Sequence, residues 1–378
     1  PYDNAYWAEA YTAAKEAYDF AKAHGSALTA SYDNIFLVEG GPEVLFAVIN
    51  SYPSKTGSWD WYLRPQSLST GQIQRGPTWD MIKSFPMADG KTWDDPTGKY
   101  YVSSEALLMQ SFWKNRDPRF YSSVTCPGQL YPVAGRDASF RIYTALGLAD
   151  DADAYGTNPH SGGAVSTKND SYGGFFVRKA IDFSLTPDQS DEYSIDCVKM
   201  RFAELMFIYA EAANENGHSD VAVQMLKEIR QRAGLEAGDD GNYGLPANPT
   251  RDQIRDLILA ERNTELCFEG FRFWDLRRTR HLDKLYGLQK FGLESIAINA
   301  DGSEMDINDA KAKAKAFELT PDNFKYVKQM CPYTPSAENT FVVNESFYFF
   351  PIQQTLLDEN PNLEQNNTWG GTFDPTME

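Results

Sequence analysis

Three glutamates, Glu261, Glu265 and Glu269, recur four residues apart inside a helical pattern that is otherwise largely apolar. Two carboxylates held across a sugar are what glycoside hydrolysis requires, one as general acid and one as nucleophile or base. Stacked on one side of a helix, however, like charges repel unless cations stand between them. Arg262, Arg272, Arg277 and Arg278 are close in sequence, and Arg201 is available from a neighbouring helical pair. Carboxylates among guanidinium groups are held ionised and make poor general acids. The pattern therefore predicts an internal ion-pair network and no catalytic residue, since charges placed where core helices carry Leu or Ala must be paired.

A second constellation lies upstream. Trp59-Asp60-Trp61-Tyr62 is followed by Arg64 and Gln66, with Trp79 and Trp93 further on, in a stretch rich in Gly, Ser and Pro. Flat C–H faces of sugars lie against indole and phenol rings, while their hydroxyls need convergent polar groups. This segment supplies both. Trp59, Trp61, Tyr62, Trp79 and Trp93 are the candidate platform, with Asp60, Arg64 and Gln66 as polar partners. An extended backbone would send Trp59 and Trp61 to one side and Asp60 and Tyr62 to the other. The competing reading is that the tryptophans anchor a long loop on the helices. Tyr172-Gly173-Gly174-Phe175-Phe176 reads more readily as a glycine bend with core aromatics than as a ligand contact.

Other chemistry is poorly supported. The four histidines (24, 160, 218, 281) are scattered, and there is no H-E-x-x-H, Cys/His cluster, nucleophile elbow, P-loop or dinucleotide fingerprint. No cofactor or metal is predicted, although a structural Ca²⁺ is not readable from sequence. The acidic run at 148–154 lacks the Gly and terminal Glu of an EF-hand and reads as a solvated turn. Cys126, Cys197, Cys267 and Cys331 lack C-x-x-C spacing, so burial as small apolar groups is favoured over bridging. With 35 basic and 53 acidic residues the net charge is −18, which opposes nucleic acid and anionic lipid headgroups but not a neutral glycan. No apolar run approaches the length of a membrane span.

The elements that must position these groups are mostly helical. Residues 4–24 carry apolar side chains at three- and four-residue steps, and a short helix is predicted after Pro42, turning Val44, Leu45, Val48 and Ile49 inward. From 51 to 101 the chain is irregular except for a brief helix at 78–85, followed by a serine-capped helix at 103–113. Residues 120–198 read as loop and short strand. Two helical pairs follow, 199–216 with 220–232, about the length of a tetratricopeptide unit, and 251–268 with 271–281. Residues 287–348 are ambiguous, with a helix at 309–318 and a strand at 347–350. The division expected is TPR-like helices at 1–50, a loop-rich aromatic ligand-binding subdomain at 51–198, helical pairs with the Arg/Glu network at 199–285 and a closing irregular region at 286–378, in one unit.

Five segments in one order carry a resemblance. They are Arg201, Ala203, Glu204, Tyr209, Ala210, Glu211 and Ala212; Arg230, Arg232, Ala233 and Gly234; Glu261, Arg262, Glu265, Leu266, Glu269, Gly270, Arg272, Asp275, Leu276, Arg277 and Arg278; Asp117-Pro118-Arg119-Phe120; and the closing FFPIQQTLLDENPNLEQN at 349–366. Together they resemble the SusD/RagB family of outer-membrane nutrient-binding lipoproteins, over essentially the whole chain. The resemblance implies a mostly α, TPR-like helical hairpin scaffold with a large irregular loop-rich subdomain and a few short strands. It implies no enzyme but a cell-surface binding protein of a Gram-negative bacterium, using an aromatic platform on loops to capture an oligosaccharide during polysaccharide utilisation. Delivery would be to a TonB-dependent, SusC-like transporter, with the membrane reached only through an N-terminal lipid anchor. The resemblance further implies that this sequence would lack the anchor and much of the family's N-terminal helical region. The alternatives are a RagB-like peptide receptor and, from another class, an α-helical glycoside hydrolase.

Overall fold

The structure is a computed structural model that describes residues 4–65, 68–69, 76–143, 174–330 and 340–376. The fold is mostly α. Helix α1 (Asn4–Ala23) packs Ala14, Tyr18 and Ala21 against α7 (Phe202–Glu215), and Tyr18 lies 5.4 Å from Phe202 in a stacked pair. A three-residue connection leads to α8 (Ser219–Ala233), which ends where Gly234 takes φ +84°, a left-handed value that a side chain would resist. Thr250 and Gln253 form a reciprocal capping box on α9 (Arg251–Glu265), and α10 (Phe271–Arg278) follows a left-handed Gly270. Ala14, Phe202, Met206, Leu226, Ile229, Ile254 and Ile258 make the core of this helical layer.

The irregular part is built from short pieces: α2 (Asn34–Leu37), α3 (Trp59–Leu63), α4 (Trp79–Ser84), α5 (Glu105–Met109), α6 (Pro118–Ser123), α11 (Ile307–Lys315) and α12 (Gln354–Glu359). Among the described residues there are three two-stranded antiparallel sheets. Strand β1 (Val44–Val48) pairs with β4 (Cys197–Arg201), β2 (Val124–Thr125) with β3 (Phe176–Val177), and β5 (Phe291–Ala297) with β6 (Phe324–Met330). A second core, formed by Trp79, Phe85, Phe112, Phe120, Phe175, Leu293 and Tyr326, takes in residues of β2, β5 and β6. Arg116 is buried inside it without a carboxylate. Its guanidinium instead donates to the carbonyls of Phe112, Ile82 and Phe85 at 3.1, 2.7 and 2.6 Å, and burial lowers its pKa to about 10.

Several local expectations are corrected. The stretch after Pro42 is strand β1, because β-branched and aromatic residues there find a partner in β4. The predicted helix at 103–113 is reduced to α5, capped by Ser104, and α6 begins at the Asp117-Pro118 step, where Asp117 caps the amide of Arg119. The predicted strand at 347–350 is a 3-10 turn over Glu345–Tyr348. Residues 287–330 resolve into the β5–β6 pair around α11, a long-range pairing that no local pattern announced. Gly174 holds φ +75°, and a Cβ there would lie 2.3 Å from the Leu293 carbonyl oxygen, so Phe175 and Phe176 are core residues of a glycine bend. The acidic run at 148–154, Tyr172, Gly173 and Cys331 lie outside the described residues.

Between the two cores runs the ion network. Glu265 accepts from Arg201 at 2.7 Å, from Arg119 at 2.8 Å and from Arg232. Arg119 also contacts Asp117 at 2.6 Å and Glu261 at 2.7 Å, and Glu261 accepts from Arg230 at 2.7 Å. Arg201 and Arg232 share Glu43, at 2.5 and 2.7 Å, and Arg201 with Lys179 holds Glu269, at 2.8 and 2.6 Å. Five carboxylates thus meet five cations, none of their side chains more than 10% exposed. The predicted network exists and Arg201 belongs to it as expected, but its other cations differ from those first in view. Arg262 pairs with Asp275, Arg278 with Glu211 and Asp275, and Arg277 stacks on Phe350, while distant Arg119, Arg230, Arg232 and Lys179 serve the glutamates. Glu269 lies past the end of α9, beyond Phe268 at φ +64°.

Burial alone would push the Glu265 carboxyl up. Arg232, Arg201 and Arg119 more than reverse this and hold it well below the usual carboxylate range. Glu261 and Glu269 are likewise lowered by their cations, which outweigh the effect of burial. A depressed carboxylate contributes stability that is present above its unfolded pKa and lost as pH falls through the folded value. Glu265→Gln should therefore cost about 3–5 kcal/mol at neutral pH, because it leaves buried guanidinium groups unpaired. Urea unfolding measures this, and a loss below about 1 kcal/mol, the scale of a surface pair, would contradict the network.

Candidate functional site

Residues 59–63 coil into a single helical stretch instead of extending. Its anchor is Asp60, fully buried and 2.6 Å from the equally buried Arg64 one turn later. Arg64 also donates to the carbonyls of Leu185 at 3.0 Å and Asp182, while Asp60 accepts from the amide of Asp182 at 3.2 Å. The pair staples α3 to the turn at 182–186. Asp60 and Arg64 are thereby removed as ligand partners. Coiling also separates the rings: Trp59 and Leu63 pack on the small core of Leu68, Tyr131, Phe140 and Phe176, whereas Trp61 meets Tyr62 edge-on at 4.5 Å nearer the surface. Tyr62 is 39% exposed.

The other predicted rings fare unequally. Trp79 is completely buried, packs edge-on against Phe112 and donates its indole N–H to Glu105 at 2.8 Å, so it is a core residue. Trp93 leans half-buried on the same core. Gln66 lies outside the described residues.

Trp59 lines a cavity of about 530 Å³ between α3, β4 and the corner after α9. Phe36, Tyr193 and Phe268 add aromatic wall, and Asn50, Ser58, Asp196, Lys199 and Glu269 add polar groups. Asn50 is fixed by its backbone amide to Asp196 Oδ1 at 2.9 Å and by its side chain to the Ile195 carbonyl at 2.8 Å. Strand β4 is bulged here: Phe46 and Ala47 face Met200 and Val198, leaving Lys199 as the extra residue. Bulges re-aim side chains beside sites. Cys197, expected to be buried, is exposed on the same wall because it starts the short β4 at the cavity edge, whereas Cys126 and Cys267 are buried. An apolar, ring-lined cavity of this size with a few convergent polar groups is a small-molecule site in form. Of these wall residues sequence reasoning found only Trp59; Phe36, Asn50, Tyr193, Asp196 and Phe268 come from segments with no shared local signal.

A second cavity, of about 460 Å³, lies among α1, α7, α9 and α10, lined by Trp7, Glu211, Glu215, Arg255 and Arg278. Its charges are already matched, Glu211 to Arg278 at 2.5 Å and Glu215 to Arg255, leaving less for a ligand to satisfy. Among the described residues no group of three or more His, Cys, Asp and Glu could hold a metal ion. No described helix is long and apolar enough to cross a membrane.

Burial pushes the Asp60 carboxyl up to about 6, and Arg64 offsets only part of that cost. Between its ordinary value of 3.8 and about 6 the folded chain holds the extra proton, so this group adds stability as pH falls through that window. Unfolding of the wild type and of Asp60→Asn, compared across the window, should show the wild type gaining on the variant as pH is lowered. Parallel curves would mean that the carboxyl titrates normally.

The comparisons with known proteins agree with this architecture. The SusD family profile matches residues 42–369. Two SusD-like proteins of Formosa agariphila, P2 and P38, are each 33% identical, over 104 and 112 residues, which is 27% and 29% of this chain and 21% and 22% of theirs. A SusD-like protein from Bacteroides fragilis superposes with TM-score 0.63 at 20% identity, over 95% of this chain and 62% of its own. A SusD-like carbohydrate binding protein from the same species gives 0.61 at 20%, over 93% and 60%. The chain thus spans about three fifths of those solved chains. With the family profile covering residues 42–369, this chain belongs to the SusD family.

Proposed function

We propose that the protein binds an oligosaccharide in the 530 Å³ cavity, with Trp59 as the stacking ring and with Trp61 and Tyr62, outside the cavity lining on the same short helix, as a secondary surface contact. The observation that carries the reading is Trp59 itself. Its indole N–H is held by the Lys179 carbonyl at 2.8 Å, which fixes the ring in a wall where Asn50, Ser58 and Asp196 bring acceptors for sugar hydroxyls. Preorganised rings spare the ligand the entropy of ordering them. Family membership supports the same reading, and a solved relative of the same fold is described as a carbohydrate binding protein. The function is binding without turnover: Glu261 and Glu265, the carboxylates that could be mistaken for an acid–base couple, are buried and committed to guanidinium groups. We place the protein at the outer-membrane surface, handing its ligand to a TonB-dependent, SusC-like transporter, which is the role family membership suggests.

Calorimetry against malto-, cello-, xylo- and mannooligosaccharides and against short peptides tests this. At least one glycan should bind, and Trp59→Ala should weaken it by about tenfold or more, ~1.4 kcal/mol, with Trp61→Ala giving a smaller loss. Bound glycan should also slow alkylation of Cys197, read site by site by mass spectrometry. Binding of peptides alone would replace the reading with a peptide receptor, and glycan affinity indifferent to Trp59→Ala would remove the platform.

A further inference from the structure

The cavity and the ion network meet at one residue. The ammonium of Lys179 is 3% exposed and reaches four oxygens: the Tyr32 hydroxyl at 2.6 Å, the carbonyls of Glu265 and Cys267 at 3.0 Å each, and the Glu269 carboxylate at 2.6 Å. With only three protons to donate, it has no capacity left for a ligand. What Lys179 offers the cavity is its backbone. The Lys179 carbonyl accepts from the Trp59 indole at 2.8 Å, and the next carbonyl, that of Ala180, accepts from the Tyr193 hydroxyl at 3.1 Å. The direction of these two carbonyls depends on Ala180, which sits at φ +60°. A residue with a Cβ holds that left-handed conformation only where its surroundings fix it. On one side the fixing group is the lysine side chain, locked among the carboxylates. The same ammonium lies 5.3 Å from the centroid of Phe36, a third wall ring. Opposite, Gly57 leaves room for Tyr193, since a Cβ there would stand 2.9 Å from its ring.

We propose that Lys179 is a positioning residue for the ligand cavity: by anchoring the Lys179–Ala180 corner in the ion network, it sets the places of Trp59 and Tyr193 without touching the ligand. The proposal rests on the reading that the cavity takes a glycan. It assigns a task at the binding wall to one charge of a network that otherwise only joins elements. Supporting groups of this kind decide whether a site is held to the tolerance that binding needs.

The test compares two lysine or arginine losses within one network. Lys179→Met removes the cation at the cavity, and Arg230→Met removes one at Glu261, which does not line the cavity. Both should lower the melting temperature. Only Lys179→Met should weaken binding of the oligosaccharide that the wild type binds, by about tenfold or more. Tyr193→Phe keeps the ring and removes only its bond to the Ala180 carbonyl, so it should fold as the wild type does and bind about threefold or more weakly. A ligand-free readout comes from 5-fluorotryptophan labelling. The Trp59 ¹⁹F resonance, assigned by its loss in Trp59→Phe, should move in Lys179→Met and stay in Arg230→Met. Equal affinity losses in the two network variants, wild-type affinity in Tyr193→Phe, or an unmoved Trp59 resonance in Lys179→Met would each overturn the positioning role. Failure of the glycan reading looks different: Trp59→Ala then leaves affinity unchanged, or no glycan binds, while the resonance still reports on the corner.

Discussion

Glu265 is the point on which this structure turns. Three guanidinium groups, from Arg119, Arg201 and Arg232, converge on one buried carboxylate, and each brings a different stretch of chain with it. Arg119 comes from the short α6 of the irregular region, Arg201 from the end of β4, and Arg232 from α8 of the helical scaffold. Desolvating so many charges is expensive, and their mutual attraction repays it only when every ion is matched. Five cations against five carboxylates meet that condition. Geometry is thereby restricted: an element displaced by one residue would leave a charge unpaired in the interior.

That restriction explains how so irregular a chain holds its shape. Among the described residues the sheets have two strands each, and two of the three are short or bulged. Such pairs are marginal alone. Ion pairs anchor one end of the β1–β4 unit, where Glu43 lies beside Arg201, and the Asp117–Arg119 step fixes α6 beside α9. Local staples act the same way at smaller scale, Asp60 with Arg64 under α3 and Arg116 among the carbonyls of Phe112, Ile82 and Phe85. Polar groups in this interior thus do what long strands do elsewhere.

The network also separates recognition of the family from recognition of a ligand. Arg201, Arg230, Arg232, Glu261, Glu265 and Glu269 are the residues by which the sequence resembles SusD proteins, and all are largely buried. The cavity lined by Trp59 lies at the margin of the network, where Glu269 and Lys179 form part of its wall. The family motif and the cavity are neighbours, but the motif side chains are already occupied by one another.

The sequence by itself determined the long helices, the presence of an internal charge network and the family. Helical periodicity in 4–24, 199–232 and 251–281 is local, and a misplaced Glu or Arg in an apolar stripe is visible without knowing its partner. Tertiary structure decided the rest. Arg119 and Lys179 reach Glu265 and Glu269 across 146 and 90 residues, a distance at which spacing carries no signal. The aromatic segment shows the same limit. Composition picked out Trp59, but only folding buried Trp79, turned Asp60 and Arg64 inward, coiled α3 and brought Tyr193 and Asp196 to the wall. A ring's chemistry is written in its own residue, whereas the face it presents is set by what packs behind it, and that comes from elsewhere in the chain.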